Sequence, residues 1–90
     1  MRTKKGFVLR DICGDKAIIG EGLETIDFSK IISVNDTAAF LWEKGSELGE
    51  FTNEQLAEAL TKTFDVSYEK ALSDVEKLTS KWIEVGLIIV

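Results

Sequence analysis

Apolar residues change their spacing along this chain. Up to Val34 they come in short runs separated by turn-forming residues; from Asn35 onward they recur at intervals of three and four. Gly6 to Ile12, GFVLRDI, reads as a first strand. Cys13-Gly14-Asp15 follows, where Gly tolerates positive φ and Asp can bond nearby backbone. Lys16 to Gly20, KAIIG, is the second strand, so the two form a hairpin. Glu21 to Ser29 is a looser connection, and Lys30 to Val34, KIISV, is the third strand.

Asn35 or Asp36 can then cap a helix by accepting a backbone N–H bond. Ala38, Leu41 and Trp42 form its inward stripe, and the helix is expected to end near Gly45 or Gly49. Thr52 opens a second helix, with Gln55 three residues on completing a capping box. Its stripe is Leu56, Ala59, Leu60 and Phe64. Ser67 opens a third helix that runs to Val85, and Gly86 is a natural left-handed terminator. Leu87-Ile88-Ile89-Val90 is either a short added strand or an apolar tail laid on the core. A cluster of strands followed by a cluster of helices predicts an α+β fold, with residues 1–90 as a single domain.

The third helix presents two unlike flanks. At ~100° per residue, Ala71, Val75, Leu78, Trp82 and Val85 make a core seam. One flank, Lys70, Asp74, Lys77, Lys81 and Glu84, is fully charged. The other, Leu72, Glu76, Thr79 and Ile83, is half apolar. Leu72 and Ile83 either widen the core stripe or form one wall of a groove. A second wall is available in the third strand. Side chains alternate along a strand, so if Ile32 and Val34 point into the core, Ile31 points the other way. Either the 21–29 connection or the final LIIV covers Ile31, or the edge is open to an extended peptide. Such a peptide gains main-chain bonds from the strand and side-chain contacts from the helix.

Composition narrows the function classes. Ninety residues bury only roughly 60% of their unfolded surface, which leaves little room for an enclosed active site. The chain has no histidine and one cysteine, Cys13, so neither an internal disulfide nor His-based catalysis or metal binding is possible within it. One unpaired thiol fits a reducing compartment, and no run approaches the ~20 apolar residues of a membrane span, so a cytoplasmic protein is expected. No Gly-rich phosphate loop, metal cluster or nucleophile–base pair is visible, and no enzyme or cofactor is expected. Net charge is −5, but it is uneven: residues 1–10 hold Arg2, Lys4, Lys5 and Arg10 and no acid. This basic start reads as a solvated, frayed end, with contact to an acidic partner as the alternative.

The order and separation of several segments add a resemblance. FVLRD, the GDKAIIGEG hairpin, ISVNDTAAFLW, TNEQLAEAL with the later Phe64, and VEKLTSKWIEVGLI together resemble the PqqD-like family, the peptide-binding domains called RiPP recognition elements. The likeness spans residues 6 to 88. It implies a winged helix-turn-helix, with a three-stranded antiparallel sheet followed by three helices. It also implies a non-catalytic adaptor. Such a domain binds the leader segment of a ribosomally made precursor peptide by strand addition and presents it to a modifying enzyme, often a radical S-adenosylmethionine protein. Carried onto this chain, the backbone of Lys30, Ile31, Ile32, Ser33 and Val34 pairs with the peptide, and Leu72, Val75, Glu76, Thr79 and Ile83 line the helical side. The apolar IIV after Gly86-Leu87 departs from the common pattern; laid on the sheet edge, it would close the groove or serve self-association.

Two alternatives stand beside the adaptor. A winged helix also suits a nucleic-acid-binding regulator, but the third helix sets Glu69, Asp74, Glu76 and Glu84 against Lys70, Lys77 and Lys81, so phosphates are repelled as often as attracted. No nucleic acid or membrane partner is therefore expected. A structural module that forms a homodimer through the same strand edge is the other.

Overall fold

The computed structural model describes residues 1–20 and 32–90. The connection at 21–29, and Lys30 and Ile31 of the expected third strand, lie outside the described residues.

Turn chemistry sets the hairpin. Strands β2 (Phe7–Ile12) and β3 (Asp15–Gly20) pair antiparallel, with Ile12 opposite Asp15, so Cys13 and Gly14 alone make the loop. Both have positive φ, 53° and 88°, the signature of a tight loop whose twist matches the strands. Asp11 Oδ1 accepts a 3.0 Å bond from Gly14 N and stiffens the turn. Strand β4 (Ile32–Val34) joins the other side of β3 antiparallel, giving the order β2-β3-β4. Leu9, Ile18 and Ile32 stand in one row across the three strands. Ile18 is fully buried, and Leu9, Ile32 and Val34 pack on the core beside it. Ser33, on the opposite face, is exposed. The alternation expected of KIISV therefore holds over its described part.

Three helices follow: α1 (Asp36–Leu48), α2 (Asn53–Thr63) and α3 (Tyr68–Glu84). Each begins at a capping side chain. Asn35 Oδ1 accepts from Ala38 N at 2.8 Å. Thr52 and Gln55 form the reciprocal capping box, at 3.2 and 2.9 Å. Ser67 Oγ accepts from Lys70 N at 3.3 Å. Each cap satisfies a donor that the first helical turn leaves without a partner. α1 ends at Gly49, φ 79°. α3 ends at Gly86, where Gly86 N bonds Ile83 O at 3.1 Å and Leu87 N bonds Trp82 O at 2.8 Å, a Schellman closure.

The core lies between the sheet and the helices. Trp42 of α1 and Trp82 of α3, both buried, meet edge to face with ring centroids 5.4 Å apart. Leu41, Leu56, Leu60, Ala71 and Val75 fill in around them. Two stripes sit slightly differently from their sequence reading. In α2 it is Ala57, not Ala59, that is buried with Leu56 and Leu60. In α3 the buried set is Ala71, Val75, Thr79 and Trp82; Val85 is 43% exposed because it is already the helix cap, turned away by the Gly86 reversal.

The N-terminus is not frayed. Strand β1 (Arg2–Thr3) pairs antiparallel with β5 (Ile88–Ile89), Arg2 opposite Ile89 and Thr3 opposite Ile88. Lys4 N bonds Leu87 O at 2.9 Å. Met1 and Phe51 exchange backbone bonds of 3.0 and 2.8 Å. Leu87 and Ile88 are buried beneath this ribbon. Apolar burial of the last residues thus holds down the charged first ones. Within LIIV, Ile88–Ile89 is a strand, and its partner is β1 rather than β4.

Candidate functional site

With the tail paired elsewhere, β4 is the last strand of its sheet. It bonds β3 along one edge, and among the described residues no strand lies beyond the other. An edge of this kind leaves alternate N–H and C=O groups pointing outward without strand partners.

The chain leaves β4 at Val34 and turns into α1 at the Asn35 cap. A cleft of about 260 Å³ opens at that junction, lined by Asn35, Thr37, Ala38, Leu41, Asp74 and Leu78. Its apolar floor comes from Ala38, Leu41 and Leu78, and Asp74 is its one charged lining residue. Asp74 is half-exposed and lies 3.4 Å from Lys70 Nζ, one turn earlier on α3. Across the junction Lys16 reaches Asp36 at 3.6 Å. Both pairs are open to solvent, so they trim local charge more than they hold the structure. The cleft suits an apolar side chain with a basic or amide neighbour.

The sequence-derived site residues separate in three dimensions. Ile32, Ser33 and Val34 form the open strand. Val75 and Thr79 are buried, at 0% and 2% exposure, and neither lines the cleft at the β4–α1 junction, so they do not supply the groove wall expected of them. Val75 sits in the centre of the core, and Thr79 gives its hydroxyl to Asn53 Oδ1 at 2.8 Å, facing the start of α2. Leu72 packs partly against the core, whereas Glu76 and Ile83 are exposed. Glu76 borders a shallow polar depression with Lys77, Ser80, Lys81 and Glu84.

The α3 residues that do face the β4–α1 junction are Asp74 and Leu78. Sequence reasoning placed one on the charged flank and the other in the core seam. Their spacing of four put them on one side of a helix. Spacing does not say which neighbouring element that side meets; the docking of α3 against α1 decides it.

The model of the PqqD family, described as coenzyme PQQ synthesis protein D, matches residues 20–88. The chain belongs to the PqqD family. No curated protein and no solved structure gives a significant match. The PqqD match takes in β4, all three helices and the start of β5, and leaves β1, β2 and nearly all of β3 outside it. PqqD proteins are non-catalytic, peptide-binding accessory proteins of coenzyme PQQ synthesis, which supports an adaptor role here. Among the described residues, no helix is long and apolar enough to cross a membrane.

Proposed function

We propose that this PqqD-family domain captures the leader segment of a ribosomally synthesised precursor peptide along the outer edge of β4 and presents it to a modifying enzyme, such as a radical S-adenosylmethionine protein. Peptide backbone pairs with Ile32, Ser33 and Val34, and the pairing continues toward Ile31 and Lys30. One peptide side chain enters the cleft of Ala38, Leu41 and Leu78, and a basic neighbour lies near Asp74.

One observation carries this proposal: an edge strand without a strand partner among the described residues stands directly beside an apolar cleft, while the apolar C-terminus pairs elsewhere. Main-chain pairing supplies affinity without demanding a particular sequence, and the cleft supplies selectivity. The other shoulder of α3, Leu72 with Glu76 and Ile83, is the competing wall.

The test is an NMR titration of the labelled chain with synthetic candidate leader peptides. Amide shifts gathered on residues 30–34 and on Asp74 and Leu78 are expected. Shifts along Leu72, Glu76 and Ile83 instead would move the wall to the other shoulder. Amides of β4 already protected from exchange in the free chain, with a concentration-dependent dimer, would replace capture by self-pairing.

A further inference from the structure

The sheet has a second open edge. In the order β2-β3-β4 the other terminal strand is β2, and among the described residues no strand lies beyond it. It is six residues long, against three for β4. Edges of that length are commonly shielded with Pro, a bulge or charged side chains; β2 carries its charges at Arg10 and Asp11, and Phe7 to Leu9 have none. Here Phe7, Val8 and Leu9 line a groove of about 450 Å³ together with Thr3, Lys4, Lys5, Trp42, Glu43 and Ser46. Consecutive strand residues point to opposite faces. Three in a row share one groove only where it runs along the strand's edge.

Its floor is apolar. Phe7 and Trp42 are buried, and Val8 and Leu9 are half-buried. Its rim is basic. Lys4 and Lys5 are exposed, as is Arg2 beside them, and none of the three pairs with a carboxylate among the described residues. Glu43 is the one acid in the lining. In a chain of net charge −5, this concentrates unpaired cations beside one strand edge. The clasp to β5 fixes them there, since Lys4 N is bonded to Leu87 O.

We infer that the β2 edge is a second docking surface, and that its occupant is an extended, acidic segment of a partner protein in which apolar and carboxylate residues alternate. The segment adds as a strand to β2, its apolar side chains lie over Phe7, Leu9 and Trp42, and its carboxylates meet Lys4 and Lys5. Exposed ion pairs alone contribute little, so backbone pairing and apolar contact hold the segment while the lysines select its charge. β2 and β4 are opposite edges of one sheet, so both can be occupied at once. This inference does not depend on peptide capture at β4.

The full chain, isotope-labelled, is titrated with a capped peptide of alternating Val and Glu. The expected result is amide shifts on Lys4, Lys5 and Phe7 to Leu9, a shift of the Trp42 indole, and affinity that falls as salt rises. The double variant Lys4→Glu/Lys5→Glu weakens binding about tenfold, whereas Lys77→Glu/Lys81→Glu, with the same charge change elsewhere, leaves it within about twofold. Equal binding of oligoglutamate or of an alternating Val-Lys peptide would overturn the inference, as would shifts confined to β4. Pairing of two copies through β2, seen as a concentration-dependent dimer, would also overturn it. So would capture by anionic phospholipid vesicles in place of the peptide.

Discussion

Thr79 of α3 donates a 2.8 Å hydrogen bond to Asn53 Oδ1 at the first turn of α2. Twenty-six residues apart in sequence, the two lock the helices at one point, and the hydroxyl is buried. Among the described residues, no buried side-chain polar atom is left without a partner, so loss of this bond leaves a new vacancy. Thr79→Val should cost about 1–2 kcal/mol, as a part-buried acceptor loses its donor. Asn53→Asp keeps an acceptor and adds an acid at a helix start, so it should hold the stability of the parent. Urea unfolding midpoints check both. A coupling near zero between Thr79→Val and Asn53→Ala would show that the bond contributes nothing.

Gly45 is buried in the interior of α1, where Ala ordinarily gains about 1 kcal/mol in helix propensity. A Cβ there would come within 3.0 Å of the Phe51 ring. That ring has little room to yield, because Phe51 is buried and both its N–H and its C=O are bonded to Met1. Overpacking of this kind costs about 1–3 kcal/mol. Gly45→Ala should therefore lower the melting temperature despite its better propensity, and adding Phe51→Leu should recover part of the loss. A higher melting temperature for Gly45→Ala alone would show that the ring can shift freely.

Leu87 sits under the β1–β5 ribbon at 1% exposure. Leu87→Ala should cost about 2–5 kcal/mol as a buried aliphatic truncation. It should also release the first residues. Amide exchange at Lys4 and Phe51, whose N–H groups bond Leu87 O and Met1 O, should speed up more than exchange at Ile18 in the sheet core. Uniform acceleration across the chain would mean that the ribbon has no separate stability.

At the proposed capture site, Leu78→Ala should weaken leader-peptide binding about tenfold, the effect of removing one apolar contact worth about 1.4 kcal/mol. Ile83→Ala should leave it within about twofold. Isothermal titration of each variant, after circular dichroism confirms folding, decides between the two shoulders of α3. The reverse ranking would place the peptide over Leu72 and Ile83.

Local chemistry made much of this fold legible. The turn read at Cys13-Gly14-Asp15 (Asp15 already belongs to β3), the cap read at Asn35 or Asp36 (it is Asn35), the caps at Thr52 and Ser67, the box partner Gln55 and the Gly86 stop are all decided within a few residues of chain. What depended on distant partners was less visible. Arg2 and Ile89 pair although almost the whole chain separates them, so neither end alone reveals a strand. Thr79 looks polar and surface-bound until Asn53 is brought to it. Alternation in KIISV was legible over Ile32, Ser33 and Val34, and the strand half of the proposed site is built on it. The helical half was not legible, because helical spacing divides α3 into faces without saying that Asp74 and Leu78 meet α1.

The pairing of Arg2 with Ile89 has one further consequence. The backbone enters and leaves this body at adjacent points on the same side. A domain so built can be spliced into a loop of a larger host without prising the host apart, since the gap it must bridge is one strand spacing, about 5 Å. The same adjacency lets a short linker join the two ends into a ring, or a new opening be cut elsewhere, with the β1–β5 ribbon serving as the buckle.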